Sequence, residues 1–504
     1  APESSTTSPT LTINSPLINC IIIKILIVDN QNNTKIDILL IFVEIFLKFW
    51  ALAGFVFQPA IFYYLCFFWL YVKMFVMKVE ILNQGMNGEG VALFDGKVLF
   101  VPGAIKGEVV ECEIAKDFGN YAQAKLTNII KQSNLRQKPI CPYFGSCGGC
   151  DLQHMSYDTQ LVFKQDLVTS TLKKVANIDC NVSPTISCNK QYNYRNKISF
   201  SCSDLVQGFK QKSSSNLVDV NFCPLADEKI NQVFALIKDY LKTNKIDGLK
   251  NIVVRSLNNQ TLIAIVTKTK QNLSNLLAYL QNTTKDFGLF NVVNPRNDSV
   301  VLTSHILHIG GLNKIEISSP LKLQLTVDSF FQTNLDIQTK LYNHILNLIN
   351  TNDVVINGYS GAGVLSAILA TKAKKVYGIE INKSAHIDAE NLKKCNKIAN
   401  LTNICGDFFE NFKNLSKNSN SQTMNICNTL VIDPSKKGCG KQVMQAIKGI
   451  EKIIYVSCNP IALAKDLREI INDYTITSVQ PFDMFPNTVS VETCVCLTKK
   501  QTLD

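Results

Sequence analysis

A chain of 504 residues with 46% hydrophobic residues and a formal net charge of +11 has room for about three domains. Its charge suits a polyanionic partner, although charge bears on association and not on fold. The 17 cysteines lack the dense, regular spacing of a secreted disulfide scaffold, which argues for a reducing, cytoplasmic compartment. Arginine occurs only at Arg136, Arg195, Arg255, Arg296 and Arg468. The abundance of Asn, Ile and Lys reads as the product of an AT-rich genome, in which some Lys stands where relatives carry Arg.

Residues 1–76 differ in texture from the rest of the chain. Phe49–Val72 carries no charge, contains Trp50 and Trp69, and is bracketed by Lys48 and Lys73, so it is long enough to cross a bilayer. It lies too far into the chain, and lacks the cleavage pattern, for an ordinary signal peptide. One reading is a membrane anchor that holds the lysine-rich bulk on the cytoplasmic side. The preferred reading is translated upstream DNA, because Met74 and Met77 immediately precede a well-formed domain start. Membrane contact is expected only if the extension belongs to the working protein.

Residues 77–133 read as a small β-barrel. VEIL (Val79–Leu82), GVALFDGKVLFVPG (Gly90–Gly103), GEVVECEI (Gly107–Ile114) and YAQAKLTNII (Tyr121–Ile130) supply four or five strands. Glycine turns separate them at a regular spacing. Residues 134–327 come next as a β-rich central domain. It opens with CPYFGSCGGC, which contains Cys141, Cys147 and Cys150, and Cys223 in NFCPL is a possible fourth. Glycines between two cysteines three apart let the backbone curl around a metal. Four thiolates suit either tetrahedral zinc or an iron–sulfur cluster, and the spacing does not choose between them. NYRNKISFS (Asn193–Ser201) and GFKQKSSSN (Gly208–Asn216) put basic and aromatic residues together, as RNA-contacting strands do. A solvated strand face accounts for each nearly as well.

From residue 328 to 504 strands and helices alternate. DVVIN (Asp353–Asn357) leads into the loop GYSGAG (Gly358–Gly363) and an apolar helix to about Ala373. VYGIE ends at Glu380 before a helix from Asn382. Asn403–Gly406, Thr429–Pro434 and Ile453–Cys458 are further strands, and Ile476–Phe482 with Thr493–Lys499 make a closing pair. The fold class is α/β, a doubly wound Rossmann-like sheet with a late antiparallel element. The glycine loop admits close approach of an adenosine cofactor, and Glu380 can accept both ribose hydroxyls. Ser366 stands where a dinucleotide fingerprint needs its third glycine, so S-adenosylmethionine is preferred to a nicotinamide dinucleotide.

The most informative pair lies near the C-terminus. Asn459 and Pro460 end the strand before them as a helix cap and a first-turn proline. That puts Cys458 at the carboxyl end of a strand, where open α/β sheets place their ligands. A thiolate there can be a nucleophile, and the later carboxylate Glu492 its proton acceptor. Most of the other cysteines read as small apolar fillers; local context singles out this one.

Nearly the whole chain after the extension resembles the RNA (uracil-5-)-methyltransferases, most closely the branch with a TRAM barrel and a four-iron cluster that modifies 23S ribosomal RNA. The resemblance rests on FVPGAIKGE (Phe100–Glu108), the four cysteines, DSFFQTN (Asp328–Asn334), YSGAG, GIE, DPSKKG (Asp433–Gly438), YVSCNP and DMFP…VE. It implies that Gln332, Tyr359, Glu380 and Asp433 line the cofactor and target-base site. Cys458 is then the nucleophile and Glu492 the proton acceptor, and Cys141, Cys147, Cys150 and Cys223 hold a [4Fe–4S] cluster, with zinc the lesser alternative. The partner implied is RNA, chiefly 23S rRNA, with no protein partner. Relatives usually have Asp at Asn357, Pro or Ala at Ser435, Arg at Lys436, Thr at Ala462 and His at Ser490. Lysine does not reproduce arginine's bidentate fork. Two rival readings stand beside this one: a transfer RNA uridine methyltransferase with the same core motifs, and a catalytically weakened RNA-binding homologue.

Overall fold

The computed structural model describes residues 76–203, 206–318, 321–417 and 427–501. The apolar stretch Phe49–Val72 lies outside them. Among the described residues no helix is long and apolar enough to cross a membrane.

β1 (Met77–Glu80), β2 (Asn83–Gln84), β3 (Gly90–Phe94), β4 (Lys97–Val101), β5 (Val109–Asp117) and β6 (Tyr121–Lys131) form one sheet in the order β1-β5-β6-β4-β3-β2. Six strands appear where four or five were expected, the addition being the two-residue β2. Alternation drives the curl: Val79, Ala92, Leu99, Val101, Val110, Cys112, Ala122 and Ala124 point into a private core while their neighbours face out. Asp95 and Gly96, at φ +53° and +76°, make the two-residue turn that matches the twist of β3 and β4.

β7 (Lys197–Cys202), β8 (Gln207–Lys210), β9 (Leu217–Asp219), β10 (Leu249–Leu257), β11 (Gln260–Thr267), β12 (Phe287–Val293) and β13 (Ile306–Gly311) form the central sheet, ordered β13-β12-β11-β10-β7-β8-β9. The helices Glu228–Thr243 and Ser274–Thr283 cover one face through Val233, Phe234, Ile237, Leu276 and Leu280. The other face packs Val253, Ala264 and Val266 against Val327 and Phe331, and against Ala367 and Leu392 of the next domain. β14 (Ile315–Ile317) and β15 (Leu323–Leu325) pair beside it.

The C-terminal sheet comprises β16 (Val354–Gly358), β17 (Lys375–Glu380), β18 (Leu401–Cys405), β19 (Thr429–Ile432), β20 (Lys452–Ser457), β21 (Tyr474–Phe482) and β22 (Glu492–Lys499), in the order β18-β17-β16-β19-β20-β22-β21. The first five are parallel and β22 runs antiparallel to β20. Strand order reverses between β16 and β19, which opens a crevice at the carboxyl ends. The helix Tyr157–Ala176, though it precedes the central sheet in sequence, packs Phe163, Leu167 and Val168 onto this domain with Leu463, Leu467 and Val479.

An ion pair ties the barrel to the segment after it, with Glu108 buried and Arg136 half-buried. Arg136 donates from Nε and Nη2 to the two oxygens of Glu108 at 2.6 and 2.8 Å, and the Ile105 amide donates to Oε2 at 2.9 Å. Burial opposes the charge, but these bonds outweigh it and hold the Glu108 carboxyl below its usual range. Its contribution is therefore present above the unfolded-state pKa and fades as pH falls through the folded one. Glu108→Gln is expected to lower stability by about 1–3 kcal/mol at pH 7, because it removes the charged partner of a half-buried guanidinium. Urea unfolding should show that gap narrowing at acid pH.

Candidate active site

Each strand of the crevice delivers one side chain. β20 stops at Ser457, so Cys458 emerges half-buried at its tip. The Asn459 side chain accepts from the Ile461 amide at 3.1 Å and starts the helix Pro460–Arg468. β19 likewise delivers Asp433 just beyond Ile432. Because β22 is antiparallel, its first residue, not its last, reaches this end. Ser457 pairs with Thr493, a register that continues to the buried Glu492, 4% exposed, opposite Cys458.

The electrostatics follow from this crowding. Burial pushes the Cys458 thiol up to about 11, with the Glu492 and Asp433 carboxyls adding to the rise and Lys436 opposing it. Burial raises Asp433 to about 7. Burial and then the Asp433 charge hold Glu492 well above the carboxylate range, again with Lys436 opposing. Like charges packed together cannot all ionise, so the site retains protons near neutrality. Asn459 Nδ2 donates to the Lys436 carbonyl at 2.8 Å, which pins the lysine's loop to the tip of β20.

The residues expected to meet the cofactor lie around the ends of β16 and β17. Tyr359 (φ +61°) and Gly361 (φ +56°) turn the backbone through the left-handed region, and a Cβ at Gly361 would meet nothing within 4 Å. Glu380 accepts from the amides of Gly361 at 2.9 Å and Asn382 at 2.7 Å, one per oxygen. Each oxygen keeps a lone pair, so the carboxylate can still receive ribose hydroxyls. Gln332 sits on the segment after β15, and its carbonyl accepts from Asn196 Nδ2 at 2.9 Å. An open glycine turn beside a half-exposed acid fits S-adenosylmethionine. At Asn357, Nδ2 donates to Ser366 Oγ at 2.8 Å while the buried Oδ1 has no partner.

Asp466 belongs to none of the motifs seen in the sequence. Buried on the helix Pro460–Arg468, it accepts from the Cys439 amide and the Tyr455 hydroxyl, each at 2.6 Å, and from the Gly440 amide at 3.0 Å. It thereby closes the loop that carries Asp433 and Lys436. The available signal was an acid on the helix face shared by Leu463 and Leu467.

Cys141, Cys147, Cys150 and Cys223 border one cavity of about 320 Å³ in the central domain, lined by none of the strand-end residues. Bordering a common space is not ligation. Among the described residues no group of three or more His, Cys, Asp or Glu side chains is arranged to hold a metal ion. In the metal-free protein burial first, then mutual repulsion among the sulfurs, pushes Cys150 up to about 12. The expected metal-cluster loop, with its [4Fe–4S] cluster or zinc, is overturned.

The tRNA (Uracil-5-)-methyltransferase family matches residues 156–500, and the TRAM domain matches residues 76–127. The chain belongs to the tRNA (Uracil-5-)-methyltransferase family. It is 34% identical over 444 residues to an uncharacterized RNA methyltransferase of Clostridium tetani, covering 83% of this chain and 95% of that one. With one from Caldanaerobacter subterraneus it shares 35% over 442 residues, covering 82% and 96%. In fold it resembles the Pyrococcus abyssi tRNA (uracil-54, C5)-methyltransferase crystallised with S-adenosyl-L-homocysteine, with TM-score 0.67 and 23% identity over 84% of this chain and all of that one. This family member is an S-adenosylmethionine-dependent RNA (uracil-5-)-methyltransferase. Placement in the iron–sulfur branch acting on 23S rRNA is corrected, because the cysteines form no metal group and the matching family is named for tRNA.

Two measurements probe the charges. Site-resolved alkylation of Cys458 in the free protein should titrate near 11. Lys436→Ala should move that midpoint upward, because it removes the cation that favours the thiolate, whereas Lys436→Arg should not. An unmoved midpoint in Lys436→Ala would place the lysine outside the thiol's field.

Stability gives the second test. A carboxyl whose folded pKa is raised keeps a proton that the unfolded chain gives up, so it erodes stability as pH rises above the unfolded value of about 4.3. Glu492→Gln, which cannot ionise, should therefore gain Tm over the native chain between about pH 5 and pH 8. A constant difference across that range would contradict a raised Glu492.

Proposed function

We propose that this chain methylates carbon 5 of a uridine in transfer RNA, with Cys458 as nucleophile and Glu492 as proton acceptor. The observation that carries the reading is the meeting of a strand-end thiol and a buried carboxyl in the crevice. The family match over residues 156–500 supports the transfer RNA substrate. Gln332, Tyr359, Glu380 and Asp433 would hold S-adenosylmethionine, which supplies an electrophilic sulfonium methyl.

Carbon 5 of uracil is too poor a nucleophile to take that methyl directly. The Cys458 thiolate adds to carbon 6, and the resulting enolate gives carbon 5 the electron density to bond to the methyl carbon, whose bond to the sulfonium sulfur would break and leave a neutral thioether. Glu492 then removes the proton from carbon 5. The electron pair of that C–H bond restores the ring double bond as the bond between carbon 6 and Sγ breaks and the thiolate departs. A carboxyl whose pKa is raised is a stronger base once ionised, which suits this step. The base must leave the stack to reach the crevice, while lysines of the barrel and central strands hold flanking phosphates.

The division into a barrel (77–133), a central RNA-holding domain (134–327) and a catalytic domain (328–504) belongs to the same proposal. So does a cytoplasmic setting, supported by the free state of every described cysteine.

Methyl transfer to purified transfer RNA and 23S rRNA transcripts tests it. Transfer RNA should gain 5-methyluridine, and Cys458→Ala should abolish both methylation and any covalent adduct. Glu492→Gln should turn over about 10²–10⁴-fold more slowly and leave methylated RNA attached through denaturation. Methylation confined to rRNA, RNA binding without methylation, or an adduct surviving in Cys458→Ala would each overturn the reading.

A further inference from the structure

From Phe482, the last residue of β21, to Glu492, the first of β22, the chain takes an irregular path. Four successive carbonyls on that path are held from outside it. The Met484 carbonyl accepts from Asn334 Nδ2 at 3.2 Å, and that of Phe485 from Lys164 Nζ at 3.0 Å. Pro486 accepts from the Tyr194 hydroxyl at 3.2 Å, and Asn487 from the amides of Asp151 and Leu152, both at 3.0 Å. Asn487 itself sits at φ +69°. Its amide donates to Gln160 Oε1 at 2.9 Å, and Gln160 Nε2 returns to its Oδ1 at 3.3 Å. Lys164 also pairs with Asp483, and both side chains are fully buried.

Stability alone is a poor reason for this investment. A buried ion pair replaced by apolar groups of similar volume is often neutral or stabilising. An irregular loop with four anchored carbonyls also loses the conformational freedom that loops ordinarily keep. What the anchors share is the object they fix, the run of chain that ends in the Glu492 carboxyl. Cys458 is set by β20 and the capped helix after it, and none of these carbonyl bonds is made to either.

We propose that Lys164, Asn334 and Tyr194 are positioning residues for Glu492, which fix the loop so that the carboxylate meets the proton on carbon 5. The inference rests on the reading of Glu492 as proton acceptor and adds to it. These three residues come from three places: the helix Tyr157–Ala176, the segment that carries Gln332, and the basic run that carries Arg195. Proton removal is thereby tied to the cofactor segment and to the RNA-facing strands. Adduct formation, which needs only Cys458 and a bound base, is not.

Tyr194→Phe removes one hydroxyl and keeps the ring. Its rates of adduct formation and adduct release are to be measured on transfer RNA transcript by quenching and denaturing electrophoresis, beside Glu492→Gln. Formation should match the native rate and release should slow roughly tenfold, within the 10²-fold that about 1 Å of misplacement costs. Binding of S-adenosylmethionine should be unchanged. The double change Lys164→Met with Asp483→Leu removes both buried charges together and should show the same split. Release at the native rate in Tyr194→Phe while Glu492→Gln traps the adduct would overturn the positioning role alone. Equal slowing of both steps would overturn it too, as a merely structural effect. Normal release in Glu492→Gln would instead sink the underlying assignment.

Discussion

A single reversal of strand direction governs the C-terminal sheet. Five parallel strands present their carboxyl ends to one edge of the sheet, and a further parallel strand would have put its last residue there as well. Because β22 runs the other way, its opening residue reaches that edge, and a long chain segment must cross the edge to get there. The carboxyl is therefore delivered by a loop end, whereas the thiol is delivered by a strand end. The two halves of the site thus have different mechanical supports. β20 is paired on both sides within the sheet, while the segment before β22 depends on side chains borrowed from elsewhere.

Around that edge, charge is organised by scarcity of water more than by pairing. Burial raises the proton affinity of Cys458, Asp433 and Glu492, the carboxyls add to the rise at the thiol and Asp433 to that at Glu492, and Lys436 opposes it at the thiol and at Glu492. Lysine contributes a point charge on a flexible stem and not a planar fork. Its placement accordingly relies on the backbone, through the Asn459–Lys436 hydrogen bond and the buried Asp466 that closes the same loop.

Much of this geometry was legible in the residues. Strand tips at Glu380, Asp433 and Cys458 arise from short β-branched runs ended by turn or cap residues, and Asn459-Pro460 marks its boundary within one position. The left-handed turn at Gly361 and Gly363 follows from glycine itself. Legibility failed where a side chain's meaning depends on a remote partner. Asp466 and Lys164 read as polar interruptions of helical stripes until their partners across the fold are known. The cysteines fail in the opposite way: a C-x5-C-x2-C spacing in a glycine-rich setting pointed to ligation, but spacing carries no orientation. The barrel's extra strand, β2, is two residues long and too short for alternation to register.

The helix Tyr157–Ala176 has a consequence for how the chain reaches this state. It seals the catalytic core, yet the whole central sheet separates it in sequence from the strands it covers. Gln160 and Asn487 touch although they lie 327 positions apart. Contacts of such separation carry a loop-closure cost before they return any stabilisation, and they slow folding. During synthesis the helix must wait, its apolar face unsatisfied, until the last strands emerge. A fragment beginning at residue 328 would leave the Leu463 and Leu467 stripe without its cover.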